Sequence, residues 1–176
     1  MKTLKILLLT GGHWFEESSF YRMIRDLSEF DSEVKIYWTV EEHPEAEYAI
    51  APEAVAEYDA VLFYDMPGVT FTNNEPPFAL SEPSQKFKKD FRALLDSGKG
   101  LVFMHHAIGG WPTWDEYAEA IGGKFQFLPG KLDGKEFPGS GYRFQVPQTI
   151  TVEDTDHPIV KGLDKEFDFK DEIYLF

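Results

Sequence analysis

Two adjacent histidines, His105 and His106, stand where an apolar segment of residues 100–104 ends and a glycine-containing segment begins. A third, His13, follows Gly11 and Gly12 after another apolar segment. Imidazole changes charge near neutral pH and binds metals, so these histidines are candidate catalytic residues. His105 and His106 are also candidate ligands for a divalent metal such as Zn²⁺, with an open position for water. The alternative is that one of the pair is bonded in the core and the other lies at the surface.

Four further residues near these histidines are candidates for contacting a substrate. Asp65 ends a third apolar segment, and Glu16 follows His13 after two aromatic residues. Trp111 and Trp114 follow the histidine pair, and indole faces suit the apolar face of a sugar ring. For both tryptophans, packing in the core is the alternative.

Two carboxylates near the end of the chain, Asp171 and Glu172, precede the apolar run 173–176. We expect the final strand to run antiparallel. This would bring Asp171 or Glu172 to within one water molecule of a site histidine, with Asp171 as a candidate catalytic residue and Glu172 as a candidate substrate-binding residue. There a carboxylate would fix the imidazole tautomer or complete a metal shell. The alternative is that both carboxylates are solvated.

The elements that must position these residues alternate between strands and helices. The apolar runs 4–10, 60–65 and 100–104 are typical of strands buried on both faces, and residues 34–40 alternate as a further strand. Residues 16–29 and 84–97 carry apolar stripes with helical spacing, and Ser84 is expected to cap the second of these helices. A further helix is expected to open at Pro112, and residues 129–141, rich in glycine and proline, are expected to form a loop. This order predicts a mostly parallel α/β sheet, whose ligands bind at the carboxyl ends of the strands. We therefore predict that the histidine pair ends a central parallel strand and that at least one of the two faces a pocket.

The segment of residues 66–83 is rich in proline yet contains Phe71 and Phe78. Loops of this length inside compact domains are usually functional or mobile. We predict a lid or rim over the site. His43, in an acidic segment, is expected at the surface, and His157 before Pro158 is expected to brace a turn.

Length and composition limit the function classes. The chain has 176 residues, a formal net charge of −14, 43% hydrophobic residues and no cysteine. A single domain over residues 1–176 fits this length. The acidic balance argues against nucleic acid and anionic membranes as partners, and no apolar run is long enough for a signal peptide or a membrane span. We expect a cytoplasmic protein with a neutral small-molecule substrate, with homo-oligomer formation left open.

Nucleotide and flavin cofactors are not expected. The Gly11–Gly12 turn lacks the third glycine of the dinucleotide fingerprint and the lysine of the nucleotide loop. No phosphate loop rich in serine and threonine follows the first strand.

Several motifs together resemble one family. They are Thr10–His13, Tyr64–Gly68, Gly98–Ile108, Trp111–Tyr117, Ile121–Gly123, His157–Ile159 and Asp171–Tyr174. They are similar to the ThuA-like family of trehalose-utilisation proteins over essentially the whole chain, most specifically in the block from Gly98 to Gly123.

The resemblance implies a flavodoxin-like three-layer sandwich with a mostly parallel central sheet, in the class I glutamine amidotransferase-like superfamily. In those enzymes a cysteine occupies the sharp turn after a central strand; here that place holds His105 and His106. Glutamine hydrolysis through a thioester is therefore excluded. Family members usually continue past the Asp171–Tyr174 motif, which leaves open whether this chain is truncated at its C-terminus.

The resemblance also implies a role in using trehalose or a related glycoside. We expect a neutral or oxidised sugar to be bound or processed at a histidine-rich, metal-assisted or metal-free site. An enzyme of this kind would be a sugar hydrolase, lyase or isomerase. The alternative is a non-catalytic, amidotransferase-like module that binds a small molecule or a partner.

Overall fold

The computed structural model describes residues 1–29, 31–132 and 134–175, and of Leu132 only the backbone. These residues form two compact units, Met1–Phe125 and Gln126–Phe176. The strands of the first unit are β1 (Lys2–Gly11), β2 (Val34–Glu42), β3 (Ala60–Asp65), β4 (Val69–Phe71), β5 (Phe78–Leu80) and β6 (Gly100–Phe103). Its helices are α1 (Glu17–Glu29), α2 (Ala46–Ala49), α3 (Pro52–Val55), α4 (Gln85–Asp96) and α5 (Asp115–Ile121), with a 3-10 turn over His105–Gly109. A single domain over residues 1–176 stays a prediction.

A four-stranded parallel sheet in the order β2-β1-β3-β6 forms the centre of the first unit. Three of these strands were predicted from continuous apolar runs and the fourth from alternation. Because all four run in the same direction, their carboxyl ends lie at one edge. The predicted position of the histidine pair is correct in that β6 ends just before it. The prediction of a central strand is wrong, since β6 stands last in the order of the described strands.

Helices cover both faces of this sheet. Leu8 and Leu62 point to one face, where Phe20 and Ile24 of α1 pack against them. Their neighbours along the strands point to the other face and pack with α2 to α5, in a core of Leu7, Leu9, Val61, Phe63, Phe87, Phe91, Leu94 and Tyr117. The first unit is therefore a three-layer α/β sandwich of the flavodoxin-like kind. The residue patterns predicted its parallel sheet, and the family resemblance implied the flavodoxin-like arrangement.

The segment predicted as a lid contains a short hairpin, in which β4 pairs antiparallel with β5 and Phe71 lies opposite Phe78. Helix α4 follows it and begins where expected, because the Ser84 hydroxyl accepts a hydrogen bond from the Phe87 amide at 3.0 Å. Helix α5 begins at Asp115, three residues after the proline that was expected to open it, and ends on the left-handed Gly122.

The second unit contains two antiparallel hairpins. Strand β7 (Gly130–Leu132) pairs with β8 (Lys135–Phe137), and β9 (Gly141–Thr151) pairs with β10 (Glu166–Leu175). A 3-10 turn over Pro158–Val160 lies between the long strands, and Nδ1 of His157 accepts from the Ile159 amide at 3.3 Å, as predicted. The final strand is antiparallel, as predicted, but its partner is β9 and not a strand of the parallel sheet. Over the described ranges, none of the helices combines the length and apolarity needed to span a bilayer.

Candidate functional site

Four strand ends bring polar side chains to one edge of the parallel sheet. His13 follows β1, His43 follows β2, Asp65 ends β3, and His105 and His106 follow β6. In open α/β sheets ligands bind outside the carboxyl ends of the strands. The candidate site is therefore built at this edge.

A sharp turn after β6 places the histidine pair. His105 has a φ of 40°, in the left-handed region that non-glycine residues rarely adopt. The chain then closes a 3-10 turn, in which the Ala107 amide donates to the Met104 carbonyl at 2.9 Å. Strained backbone of this kind occurs most often at active sites and ligand-binding turns, so it marks this strand end as a candidate site. His105 is exposed and His106 is half-buried.

Three imidazoles lie together at this turn. The ring centroid of His106 lies 4.5 Å from that of His13 and 4.5 Å from that of His105. The phenol ring of Tyr64 lies 4.9 Å from the His106 ring, and the ring of Phe71 meets His13 edge-on at 5.5 Å. The structure thus brings together the three predicted histidines, with aromatic rings of β3 and β4 beside them.

His106 and His13 have different surroundings within this cluster. Burial, followed by the charges of His105 and His13, lowers the pKa of His106 to about 3, so its ring is neutral at physiological pH. Nδ1 of His13 lies 2.6 Å from the Trp14 carbonyl oxygen. Because a carbonyl only accepts, Nδ1 donates and the neutral ring keeps its lone pair on Nε2. His13 can therefore accept a proton at Nε2.

A metal site at the predicted ligands His105 and His106 would need further ligands nearby. No three histidine, aspartate or glutamate side chains of residues 1–29, 31–132 and 134–175 are arranged to hold a metal ion. A structural or catalytic Zn²⁺ needs at least three protein ligands. His105 and His106 by themselves do not meet that requirement.

Asp65 has a different partner from the one expected. Its side chain is 3% exposed, and Nε2 of His43 donates to Oδ2 at 2.7 Å. The prediction that His43 lies at the surface is wrong, because its side chain is only 10% exposed. Sequence reasoning missed His43 because acidic residues surround it, although its place directly after β2 was the available signal.

Glu16 caps helix α1. Its carboxylate accepts from the Ser18 hydroxyl at 2.7 Å and from the Ser19 amide at 2.7 Å. The hydrogen bonds from Ser19 and then from Ser18 lower the pKa of Glu16 to about 2. These contacts occupy the carboxylate that the sequence assigned to substrate.

Both predicted substrate-stacking tryptophans are buried. Trp111 is 4% and Trp114 is 6% exposed, and both pack in the core of the first unit. This favours core packing, the alternative stated for them. Within the described residues, the buried Nε1 of Trp111, the Tyr117 hydroxyl and Oδ1 of Asp65 have no hydrogen-bond partner.

Asp171 and Glu172 lie on β10, where an irregular register between Asp171 and Ile173 interrupts the pairing with β9. Oδ1 of Asp171 accepts from the Glu172 amide at 2.8 Å, and the Tyr174 hydroxyl donates to the Glu172 carboxylate. Burial, then this hydrogen bond, raises the pKa of Tyr174. The predicted closeness of either carboxylate to a site histidine stays a prediction.

Two cavities of the first unit lie away from the imidazoles. One of about 560 Å³ is lined by residues such as Asp59 and Gly100, at the amino ends of β3 and β6. Another of about 350 Å³ is lined almost entirely by apolar side chains, such as Trp38 and Val102 on one sheet face. The first lies at the edge opposite to the one where α/β sheets bind ligands.

Comparisons with known proteins agree with the motifs. The sequence model of the ThuA family, described as trehalose utilisation, matches residues 5–176. Two crystal structures of ThuA-like proteins are similar in fold. The protein from Parabacteroides merdae ATCC 43184 has a TM-score of 0.66 at 19% identity, over 98% of this chain and 63% of its own. The protein from Bacteroides uniformis ATCC 8492 has a TM-score of 0.59 at 18% identity, over 97% of this chain and 60% of its own. This chain thus spans less than two thirds of either protein, and none of the curated proteins matches it.

Proposed function

The chain belongs to the ThuA family, and we propose from this membership that it binds or processes a neutral or oxidised sugar of the trehalose type at the cluster of His13, His105 and His106. The observation that carries the proposal is the contact of the three imidazoles at the carboxyl edge of the sheet. A net charge of −14 favours an uncharged ligand over an anionic one.

The chemistry proposed is acid–base catalysis without a covalent intermediate. His13 would take a proton at Nε2 from a sugar hydroxyl or a water, because its Nδ1–H is held by the Trp14 carbonyl. His106, neutral at physiological pH, would hydrogen-bond the substrate and not act as the base. A general base typically contributes about 10²–10⁴-fold to the rate.

Metal assistance is a separate part of the proposal. His105 and His106 would supply two ligands, and water or substrate oxygens would have to supply the others, because no third histidine, aspartate or glutamate of the described residues is placed to do so. Elemental analysis of the purified protein tests this directly. A stoichiometric metal that His105→Gln and His106→Gln remove, and that His157→Gln does not, would support a metal role for the pair.

Measurements of turnover and of sugar affinity distinguish an enzyme from a protein that only binds the sugar. Trehalose and its keto-oxidised form are incubated with the protein, products are followed by NMR, and affinity is measured by calorimetry. His13→Gln should lower turnover by about 10²-fold or more with little change in affinity, whereas the exposed control His157→Gln should change neither. Unchanged turnover in His13→Gln contradicts the assignment of the base.

The second candidate is a binding module without turnover. It is favoured by the absence of cysteine and by the presence of His105 at the strained turn, where the related amidotransferases carry their nucleophile. Micromolar sugar affinity with no product after long incubation would support the binding module. No binding of either sugar would contradict both candidates.

A further inference from the structure

A hydrogen bond between His43 and Asp65 passes over the end of β1. His43 follows β2 and Asp65 ends β3, and β1 lies between these two strands in the sheet. Nε2 of His43 donates to Oδ2 of Asp65 at 2.7 Å, with the side chains 10% and 3% exposed. A polar pair buried to this degree is strong while intact, and it leaves a costly unpaired group when one partner is removed.

The turn that leads to His13 is enclosed by the segments that carry this pair. The His43 amide donates to the Thr10 carbonyl at 3.0 Å, and the Met66 amide donates to the Gly11 carbonyl at 2.9 Å. A side chain at Gly11 would come within 3.0 Å of the His43 nitrogen, and one at Gly12 would come within 2.3 Å of the Met66 carbonyl oxygen.

We propose that His43 and Asp65 are positioning residues, which hold the turn before His13 so that its imidazole lies against that of His106. The role of this contact in catalysis rests on the proposed function, but the positioning itself does not. Both partners are too buried to be the first groups that a sugar meets. Their bond ties the end of β2 to the end of β3, and the glycine turn is packed between them so closely that a Cβ atom at Gly12 would clash with Met66.

Two variants at His43 test whether a side-chain donor must reach Asp65 to hold the turn before His13. Gln places its amide nitrogen near the position of the histidine Nε2, whereas Asn is one methylene shorter and falls short of Asp65. The ring carbon and nitrogen resonances of His13 are recorded by NMR in the full chain without ligand, together with the nuclear Overhauser contact between the His13 and His106 rings. His157→Asn serves as the control.

We expect His43→Gln to keep the Nδ1–H tautomer of His13 and the contact with His106. His43→Asn and Asp65→Ala should weaken the contact and mix the tautomers, with circular dichroism unchanged. An unchanged His13 ring in folded His43→Asn or Asp65→Ala would overturn the proposal. Failure of both variants to fold would also overturn it, because the pair would then serve stability and not position. A protein that binds no sugar can still show the expected NMR result, so the two proposals fail separately.

Discussion

The imidazoles of His13 and His106 lie 4.5 Å apart between centroids, although the two residues follow different strands of the sheet. Their contact depends on β1 and β6 running in the same direction on either side of β3. Two cationic imidazoles at this distance would repel each other. A neutral His106 lets a proton reside on His13 without that repulsion.

The pKa of His106 predicts a loss of stability in acid. The folded ring has a pKa of about 3, below its usual value near 6.5, mainly because it is buried. Between these values the unfolded chain binds more protons, so the free energy of unfolding falls as the pH drops from about 6.5 towards 3. His106→Gln should therefore lose less stability than the wild type between pH 7 and 4.5, measured by urea unfolding. The exposed His157→Gln is the control, and equal losses in wild type and His106→Gln would contradict the assignment.

Local patterns were sufficient to predict the layers of the first unit. Continuous apolar runs identified β1 and β3, because strands covered on both faces carry apolar side chains on both. The same pattern identified β6, but the expectation that β6 is buried on both faces is wrong, since Val102 is 47% exposed. Ser84 identified the start of α4, since a capping hydroxyl acts on an amide three residues away. The same rules placed the three histidines at one edge, because parallel strands share the direction of their ends.

Features that depend on contacts distant in sequence were missed. The burial of His43 requires β2 and β3 to flank β1, and the place of His43 directly after β2 does not by itself reveal that strand order. The burial of Trp111 follows from its packing against Phe87, with ring centroids 5.1 Å apart. In the second unit, residues 129–141 were predicted as a loop because of their glycines and prolines, yet they include the β7–β8 hairpin.

Phe71 is expected to be an apolar wall of the site. Its ring meets His13 edge-on and is 55% exposed on the β4–β5 hairpin. Phe71→Ala should weaken trehalose binding about threefold to tenfold, the usual contribution of one aromatic contact to affinity. Tyr48→Ala, at an exposed position, should leave the affinity unchanged.

Amide exchange over residues 66–83 should slow when trehalose binds, because this segment is predicted to form a lid or rim over the site. Equal exchange with and without sugar, despite measured binding, would contradict a lid or rim.

Glu16 is expected to stabilise α1 and not to bind substrate. Glu16→Ala removes the acceptor of the Ser18 and Ser19 hydrogen bonds, so it should lower the midpoint of urea unfolding at pH 7. Because the carboxyl has a lowered pKa of about 2, this contribution is present above the usual pKa near 4.5 and is lost as the pH falls towards 2. Glu17→Ala, in the same helical turn, is the control. A large loss of sugar affinity in Glu16→Ala without a loss of stability would show instead that Glu16 binds the substrate.

The buried Tyr117 hydroxyl is expected to lower the free energy of unfolding. The side chain is 1% exposed and its hydroxyl has no hydrogen-bond partner among the described residues. Burial, followed by the charge of Asp65, raises its pKa, so the group stays neutral and places no charge in the core. A buried hydroxyl without a partner costs about 1–3 kcal/mol relative to an apolar group of the same shape. Tyr117→Phe should therefore raise the free energy of unfolding by about 1 kcal/mol, whereas Tyr48→Phe, at a side chain 66% exposed, should leave it unchanged. A destabilised Tyr117→Phe would instead show that the hydroxyl is bonded, through a buried water, to a group such as Oδ1 of Asp65.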